Sequence, residues 1–262
     1  MAGGDISFKT NIKIPYFFKK IFQKLFSFYK KYAIIQRVFE RSCYPVTFTK
    51  KIIIISGHYG SGKTNIAVNL AKKLVTEGKK VALVDLDIVN PYFRAADNRA
   101  ELEALGVRCI LPQFANTNVD VPTLPPQIHS VFVSDETVIF DVGGDKDGAV
   151  ALGVYRNAIN KAGYDMIAVV NMYRPLTATP EDTLENLREI EDNCSLSFTG
   201  FINNSNLGEE TTAADVEASL SYAKAIEKMT SLPLIATTYV ESLHVTLDTL
   251  AMPIRDITKK IY

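Results

Sequence analysis

The sequence predicts an α/β domain: a mostly parallel sheet of about seven strands, covered by helices on both faces and preceded by a helical extension. Three observations lead there. From residue 51 onward, short Val/Ile/Leu runs alternate with helical stretches, as when helices carry the crossovers between parallel strands. Several of those runs are apolar at consecutive positions, the pattern of strands buried on both faces. Charge is also unevenly distributed. Residues 1–50 carry ten Lys/Arg against two acids, Asp5 and Glu40, and the remaining residues carry 19 basic against 27 acidic side chains. The formal net charge of zero therefore hides a basic tail on an acidic body. The expected division is residues 1–49, a basic, aromatic-rich amphipathic extension, and residues 50–262, the α/β domain.

Taken in order, the expected strands are Lys51–Ser56, Lys80–Asp85, Val107–Leu111, Thr137–Asp141, Met166–Asn171, Phe198–Asn203 and Leu232–Thr237. Between them the spacing predicts helices over Thr64–Glu77, Gly148–Ala162, Pro180–Asp192 and Thr212–Thr230, with Gly78, Gly106 and Gly163 standing where helices should stop. Pro112–Pro126 has four prolines and little periodicity, so it reads as a long loop, and long loops in compact domains are often functional.

The 262 residues suit one such domain with a segment left over. With 47% hydrophobic and 22% charged residues, disorder, collagen and coiled coil fail as whole-chain descriptions. No run approaches the ~18 uncharged apolar residues of a transmembrane helix, and lysines interrupt every apolar stretch near the N-terminus, against a secretory signal. Cys43, Cys109 and Cys194 are far apart without a CxxC pair. That spacing gives neither a disulfide framework nor a zinc site and fits a reducing, cytoplasmic location. The chain shows no specific nucleic-acid signal.

The strongest motif is Gly57-His58-Tyr59-Gly60-Ser61-Gly62-Lys63-Thr64, which satisfies G-x-x-x-x-G-K-[ST] between an apolar strand and a helix. Its backbone N–H groups and the positive end of the following helix would cradle a nucleotide phosphate. Lys63 would reach the β- and γ-phosphates, and the Thr64 hydroxyl would bind Mg²⁺. The expected nucleotide contacts run from Gly57 through Asn65. The second motif, Asp85-Leu86-Asp87, closes the second strand, where open α/β sheets bind ligands. One carboxylate would hold Mg²⁺ and the other orient the attacking water. The third, Val138-Ile139-Phe140-Asp141-Val142-Gly143-Gly144, has the Walker B form, with Asp141 as a further metal carboxylate and the two glycines sensing the γ-phosphate.

These strings together resemble the MinD/ParA/CobQ group of P-loop ATPases, which includes dethiobiotin synthetase and the nitrogenase iron protein. The resemblance covers residues 51–240 in outline and is sharpest over 51–94 and 137–147. It implies ATP binding with Mg²⁺, Asp87 as the water-orienting residue and Asp85 near the metal. It also implies an ATP-dependent homodimer. The sequence departs from the group at His58-Tyr59, where many members carry a lysine that crosses the dimer. An Fe–S cluster is not expected, because the iron protein's cluster cysteines are missing from the corresponding loops.

The only string near an [NT]KxD guanine-reading loop, Asn160-Lys161-Ala162-Gly163, lacks the Asp, so adenine is expected over guanine. The resemblance implies an Asn touching adenine at the sixth strand end: Asn203, with Asn204 second. Arg94, Arg156 and Arg174 lie near strand ends or helix starts, where each would neutralise phosphate, bind an acidic substrate or form a surface ion pair.

Two enzymatic functions compete. One is a Mg²⁺-dependent ATPase acting as a nucleotide-controlled switch for a protein, membrane or metallo-cofactor partner. The other is an ATP-dependent carboxylate-activating ligase resembling dethiobiotin synthetase or the synthetase part of cobyrinate amidases, with its small-molecule substrate near Pro112–Pro126. A catalytically idle nucleotide-binding module is the third reading, opposed by the intact Lys63, Thr64, Asp85, Asp87 and Asp141. In the extension, Tyr16 to Phe39 drawn as a helix puts Phe17, Phe18, Ile21, Phe22, Leu25 and Phe26 on one side and Lys19, Lys20, Lys24, Lys30 and Lys31 on the other. That is the pattern of a helix lying in an anionic membrane surface. Two other readings compete: a helix packed on the acidic body or on a partner, and a misassigned start, since a domain beginning near Lys50 would be complete without the segment.

Overall fold

The computed structural model describes residues 48–87, 98–111, 126–243, 245, 247 and 250–257. The expected extension helix, Cys43, Arg94 and most of the loop Pro112–Pro126 lie outside them.

Among the described residues the sheet has eight parallel strands: β1 (Ile52–Ser56), β2 (Val81–Leu86), β3 (Val107–Ile110), β4 (Thr137–Val142), β5 (Tyr164–Val170), β6 (Gly200–Asn203), β7 (Leu234–Val240) and β8 (Ala251–Ile254). Their spatial order is β3-β2-β4-β1-β5-β6-β7-β8. The helices are α1 (Lys63–Thr76), α2 (Arg99–Ala104), α3 (Ile128–Val131), α4 (Lys146–Gly153), α5 (Arg156–Ala162), α6 (Pro180–Cys194) and α7 (Ala213–Thr230).

The two-residue period of the strands sorts their side chains into two cores. Ile53, Ile55, Leu83, Ile139 and Val169 face α1 and α2, packing on Ile66, Leu70, Leu74 and Leu102. Ile52, Ile54, Val84, Phe140 and Ala168 face the other way, toward Ile128 of α3, Leu152 of α4, Ile159 of α5, Leu187 of α6 and Ile226 of α7. Ile52 through Ile55 are all fully buried. Each such side chain contributes roughly 1.5–3 kcal/mol relative to exposure, which is why β1 reads as an unbroken apolar run.

This layering creates the site. The chain leaves β1 for α1 on one face and leaves the neighbouring β4 for α4 on the other. A crevice opens at the carboxyl ends of adjacent strands whose connections diverge in this way, and ligands bind there in open α/β sheets.

Three differences from the sequence reading concern elements rather than the fold. The span Gly148–Ala162, expected as one helix, is two, because the chain turns at Val154-Tyr155. The turn sends Tyr155 inward against His129 and Phe132, with ring centroids 5.6 and 6.1 Å away, and leaves Val154 outside. Gly153 lies so close to α6 that a Cβ there would stand 3.3 Å from the Cys194 backbone. The seventh strand runs on to Val240, and β8, an eighth, pairs beside it at the sheet edge. Two helices end on left-handed serines, Ser195 and Ser231, rather than glycines.

Candidate nucleotide site

Residues 57–62 join β1 to α1 at the crevice. Helix α1 starts open to an anion: its N-cap, Gly62, is left-handed (φ 92°), no side chain caps it and its first turn holds no acid. Helices α6 and α7, by contrast, begin under Thr179 and Thr212, which cap them, with acids in the first turn. The open N–H groups and dipole of α1 suit a phosphate. The loop also leaves no space for a side chain at two of its glycines. A Cβ on Gly57 would collide with the Val169 carbonyl of β5, and one on Gly62 with the Asn204 side-chain amide.

Lys63 turns back into the loop and donates from Nζ to the His58 carbonyl at 3.0 Å. It is almost fully buried. Burial holds its ammonium below the usual lysine range, opposed by the charges of Asp141, Asp87 and Asp145. The β2–β4 register places Asp85 directly beside Asp141, and both are 1% exposed. Burial first, then the charge of Asp85, pushes the Asp141 carboxyl up to about 8, while Thr64 and Lys63 oppose the rise. Neither oxygen of Asp141 accepts a hydrogen bond of good geometry. The Asp87 amide donates to Asp85 Oδ1 at 2.9 Å, so the two acids of the DxD string are held in one turn.

The loop after β4 closes the site from the opposite face. A Cβ on Gly143 would stand 3.3 Å from Asp87 Oδ1, and one on Gly144 would stand 2.5 Å from Lys63 Nζ and 2.6 Å from the Tyr59 nitrogen. Asp145 then caps α4 by accepting from the Gly148 amide at 2.8 Å. Lys63, Asp85, Asp87 and Asp141, drawn from three strings in the sequence, thus meet in one place.

Thr64, Asp85 and Asp141 offer hydroxyl and carboxylate oxygens, the hard donors that Mg²⁺ prefers, and the buried oxygens of Asp141 have no other hydrogen-bond use. The fit is therefore chemically sound. Among the described residues no group of three or more His, Cys, Asp or Glu could hold a metal unaided. Mg²⁺ at such sites completes its shell with substrate phosphates and water.

The remaining expected residues sort differently. His58 is half-buried, and burial followed by the charges of Lys63 and Arg174 lowers its pKa, so its ring is neutral at pH 7. Tyr59 points outward and is 57% exposed. Asn65 accepts from Asn69 Nδ2 at 2.7 Å and donates to Asp256 at 3.4 Å. Asn203 is fully buried; its amide donates to Ser219 Oγ at 2.8 Å and its oxygen accepts from Ser205 Oγ at 2.6 Å. Asn204 is the one that reaches the phosphate loop, donating to the Ser61 carbonyl at 2.7 Å while Thr238 donates to its oxygen. Asn160 and Lys161 end α5 just before β5 begins, at the opposite end of the sheet from the loop. Arg156 is exposed at the start of α5, whereas Arg174 donates to the Gly60 carbonyl at 2.9 Å.

The sequence reading gave no role to Asn171, Asn204's link to Ser61, or Asn69. Asn171 is fully buried at the end of β5 and holds the turn that follows it. Asn69 clamps α1 to the segment after β8 through the Arg255 amide and carbonyl. Polar side chains in a helix face or strand end that reads as core were the available signal.

The family description CobQ/CobB/MinD/ParA nucleotide binding domain matches residues 52–232. Comparison with curated proteins gave no match. Among solved structures, FtsY from Mycoplasma mycoides is similar with a TM-score of 0.45 and 17% identity, over 73% of this chain and 61% of that one. The cell division protein FtsY from Thermotoga maritima gives a TM-score of 0.46 and 20% identity, over 76% of this chain and 66% of that one. The nucleotide-binding protein from Archaeoglobus fulgidus in complex with ADP gives 0.39 and 16%, over 66% and 79%. This chain spans less than two thirds of each of these two FtsY chains.

Proposed function

The chain belongs to the CobQ/CobB/MinD/ParA nucleotide-binding domain family, and we propose that within it this protein is a Mg²⁺-dependent ATPase working as a nucleotide-controlled switch for a protein, membrane or metallo-cofactor partner. The observation that carries this reading is the packing of Asp87 and Lys63 against Gly143 and Gly144. The two groups that would meet the terminal phosphate and the attacking water lie against the loop of the opposite face at two glycines, where a Cβ would be tight at Gly143 and would collide at Gly144. A change in phosphate state at Lys63 would therefore move the β4–α4 loop, and a mobile segment ordered by a γ-phosphate is a recurrent switch.

In this reading Lys63 and the open N-terminus of α1 bind the phosphates, Thr64, Asp85 and Asp141 hold Mg²⁺, and Asp87 orients water. Bound Mg²⁺ would supply charge stabilisation to the transferring phosphoryl group. Adenine is the proposed base, supported by the missing Asp in Asn160–Gly163 and by the position of that string at the far end of the sheet. Asn204 is committed to the Ser61 carbonyl of the loop, and Asn203 to Ser219 and Ser205 behind it. Adenine selection then falls to groups around them rather than to a free amide at either position.

The test is hydrolysis of Mg²⁺-ATP by the full chain with no other substrate added, with GTP as competitor. The reading expects slow phosphate release and displacement of a labelled ATP analogue by ATP far more readily than by GTP. Complete absence of hydrolysis until a carboxylate substrate is supplied would favour the ligase reading instead.

A further inference from the structure

Arg174 stands apart from the other surface cations. Its Nε donates to the Gly60 carbonyl at 2.9 Å, in the middle of the phosphate loop. The approach is close enough that a Cβ on Gly60 would stand 3.2 Å from that nitrogen. Among the described residues no carboxylate lies within ion-pair distance of it, so no internal ion pair competes for its charge. A guanidinium has five N–H donors, and among the described residues only the Nε of this one has an acceptor, which leaves the Nη groups beside the loop.

The turn that carries Arg174 is fixed on every side. It follows β5, the strand next to β1. Asn171 Oδ1 accepts from the Tyr173 amide at 3.0 Å, and the Asn171 carbonyl accepts from the Arg174 amide at 3.2 Å and from Thr177 Oγ1 at 2.8 Å. Tyr173 donates its hydroxyl to the Asp215 carbonyl of α7 at 2.9 Å. Tyr222 of α7 donates to the Thr177 carbonyl at 2.9 Å. A long exposed side chain normally loses rotamer entropy when it is fixed on a ligand. Here a rigid turn and the Gly60 carbonyl have already fixed it.

We propose that Arg174 is a second phosphate-binding cation of this site, its Nη groups engaging the terminal phosphate of a bound nucleoside triphosphate and setting a preference for triphosphate over diphosphate. This rests on the nucleotide reading of the loop. The charge inventory supports it. Of the side chains at the loop, Lys63 is buried and shared among Asp141, Asp87 and Asp145, and His58 is neutral. In that reading residues 58–60 would face the γ-phosphate, since the Tyr59 nitrogen and Lys63 Nζ both lie against Gly144, one of the two glycines expected to sense it. A planar fork at that place binds phosphate oxygens two at a time, which a lysine does not reproduce.

The experiment is titration of the full chain with fluorescent Mg²⁺-ATP and Mg²⁺-ADP analogues, comparing wild type with Arg174→Gln, Arg174→Lys, Arg174→Met and Lys63→Ala. A charge-assisted hydrogen bond lost from the terminal phosphate should weaken triphosphate binding about tenfold in Arg174→Gln, with the diphosphate affected about threefold or less. Arg174→Lys should recover only part of the triphosphate preference. Arg174→Met keeps the aliphatic stem and gives the same readout should the glutamine variant fold poorly. Equal weakening of both nucleotides would make Arg174 a structural brace of the loop and overturn the proposal, as would unchanged affinities. Wild-type binding by Lys63→Ala would instead remove the nucleotide reading of the loop, and this inference with it.

Discussion

A fully buried carboxylate beside a second one is costly as an anion, so burial and the charge of Asp85 push the Asp141 carboxyl up to about 8 in the folded protein, whereas an unfolded aspartate releases its proton near 3.8. Between those values the folded state binds more protons than the unfolded one. The stability this group contributes is therefore complete below about pH 4 and falls as pH rises toward 8. Asp141→Asn lacks that slope. The melting temperature of the variant minus that of wild type, measured without nucleotide, should grow from pH 5 to pH 8 and then level. A difference that stays flat across that range would mean Asp141 is ionised throughout. A metal held at this position needs the carboxylate ionised, so Mg²⁺-nucleotide binding should release a proton near neutral pH.

At the scale of elements, what could be read from the sequence was what is written in consecutive residues. Strands buried on both faces appear as Ile52–Ile55 and Val138–Phe140, and the alternation with helical stretches placed five more, less uniformly apolar, among them. β8 did not, because Ala251-Met252-Pro253-Ile254 is short and carries a proline, which suits an edge strand. The break between α4 and α5 follows from tertiary contacts of Gly153 and Tyr155 that no local pattern encodes. In the site, Lys63, Thr64, Asp85, Asp87 and Asp141 were each legible, since each ends or follows a strand in a short string. The Arg174–Gly60 and Asn204–Ser61 bonds bridge 114 and 143 residues of chain. Only the adjacency of β1, β5 and β6 in the sheet brings those partners together.

For the whole molecule, the family match leaves out the basic first fifty residues and the last strands of the sheet. Among the described residues no helix is long and apolar enough to cross a membrane. A peripheral attachment through residues 16–39 is a separate proposal, motivated by the lysine and aromatic faces of that stretch; each lysine near anionic headgroups would add roughly 1 kcal/mol. Full-length protein should pellet with anionic but not neutral liposomes, and a chain beginning at Thr49 with neither. Equal pelleting of both chains would remove the membrane role and leave the nucleotide site untouched. That site is the centre of the account, and Asp87 tests it most directly. With Mg²⁺-ATP binding and single-turnover hydrolysis measured side by side, Asp87→Ala should bind ATP as wild type does and hydrolyse it ~10²-fold more slowly, as expected when a water-orienting group is lost. Hydrolysis at the wild-type rate by Asp87→Ala would contradict the assignment of this carboxylate and the switch built on it.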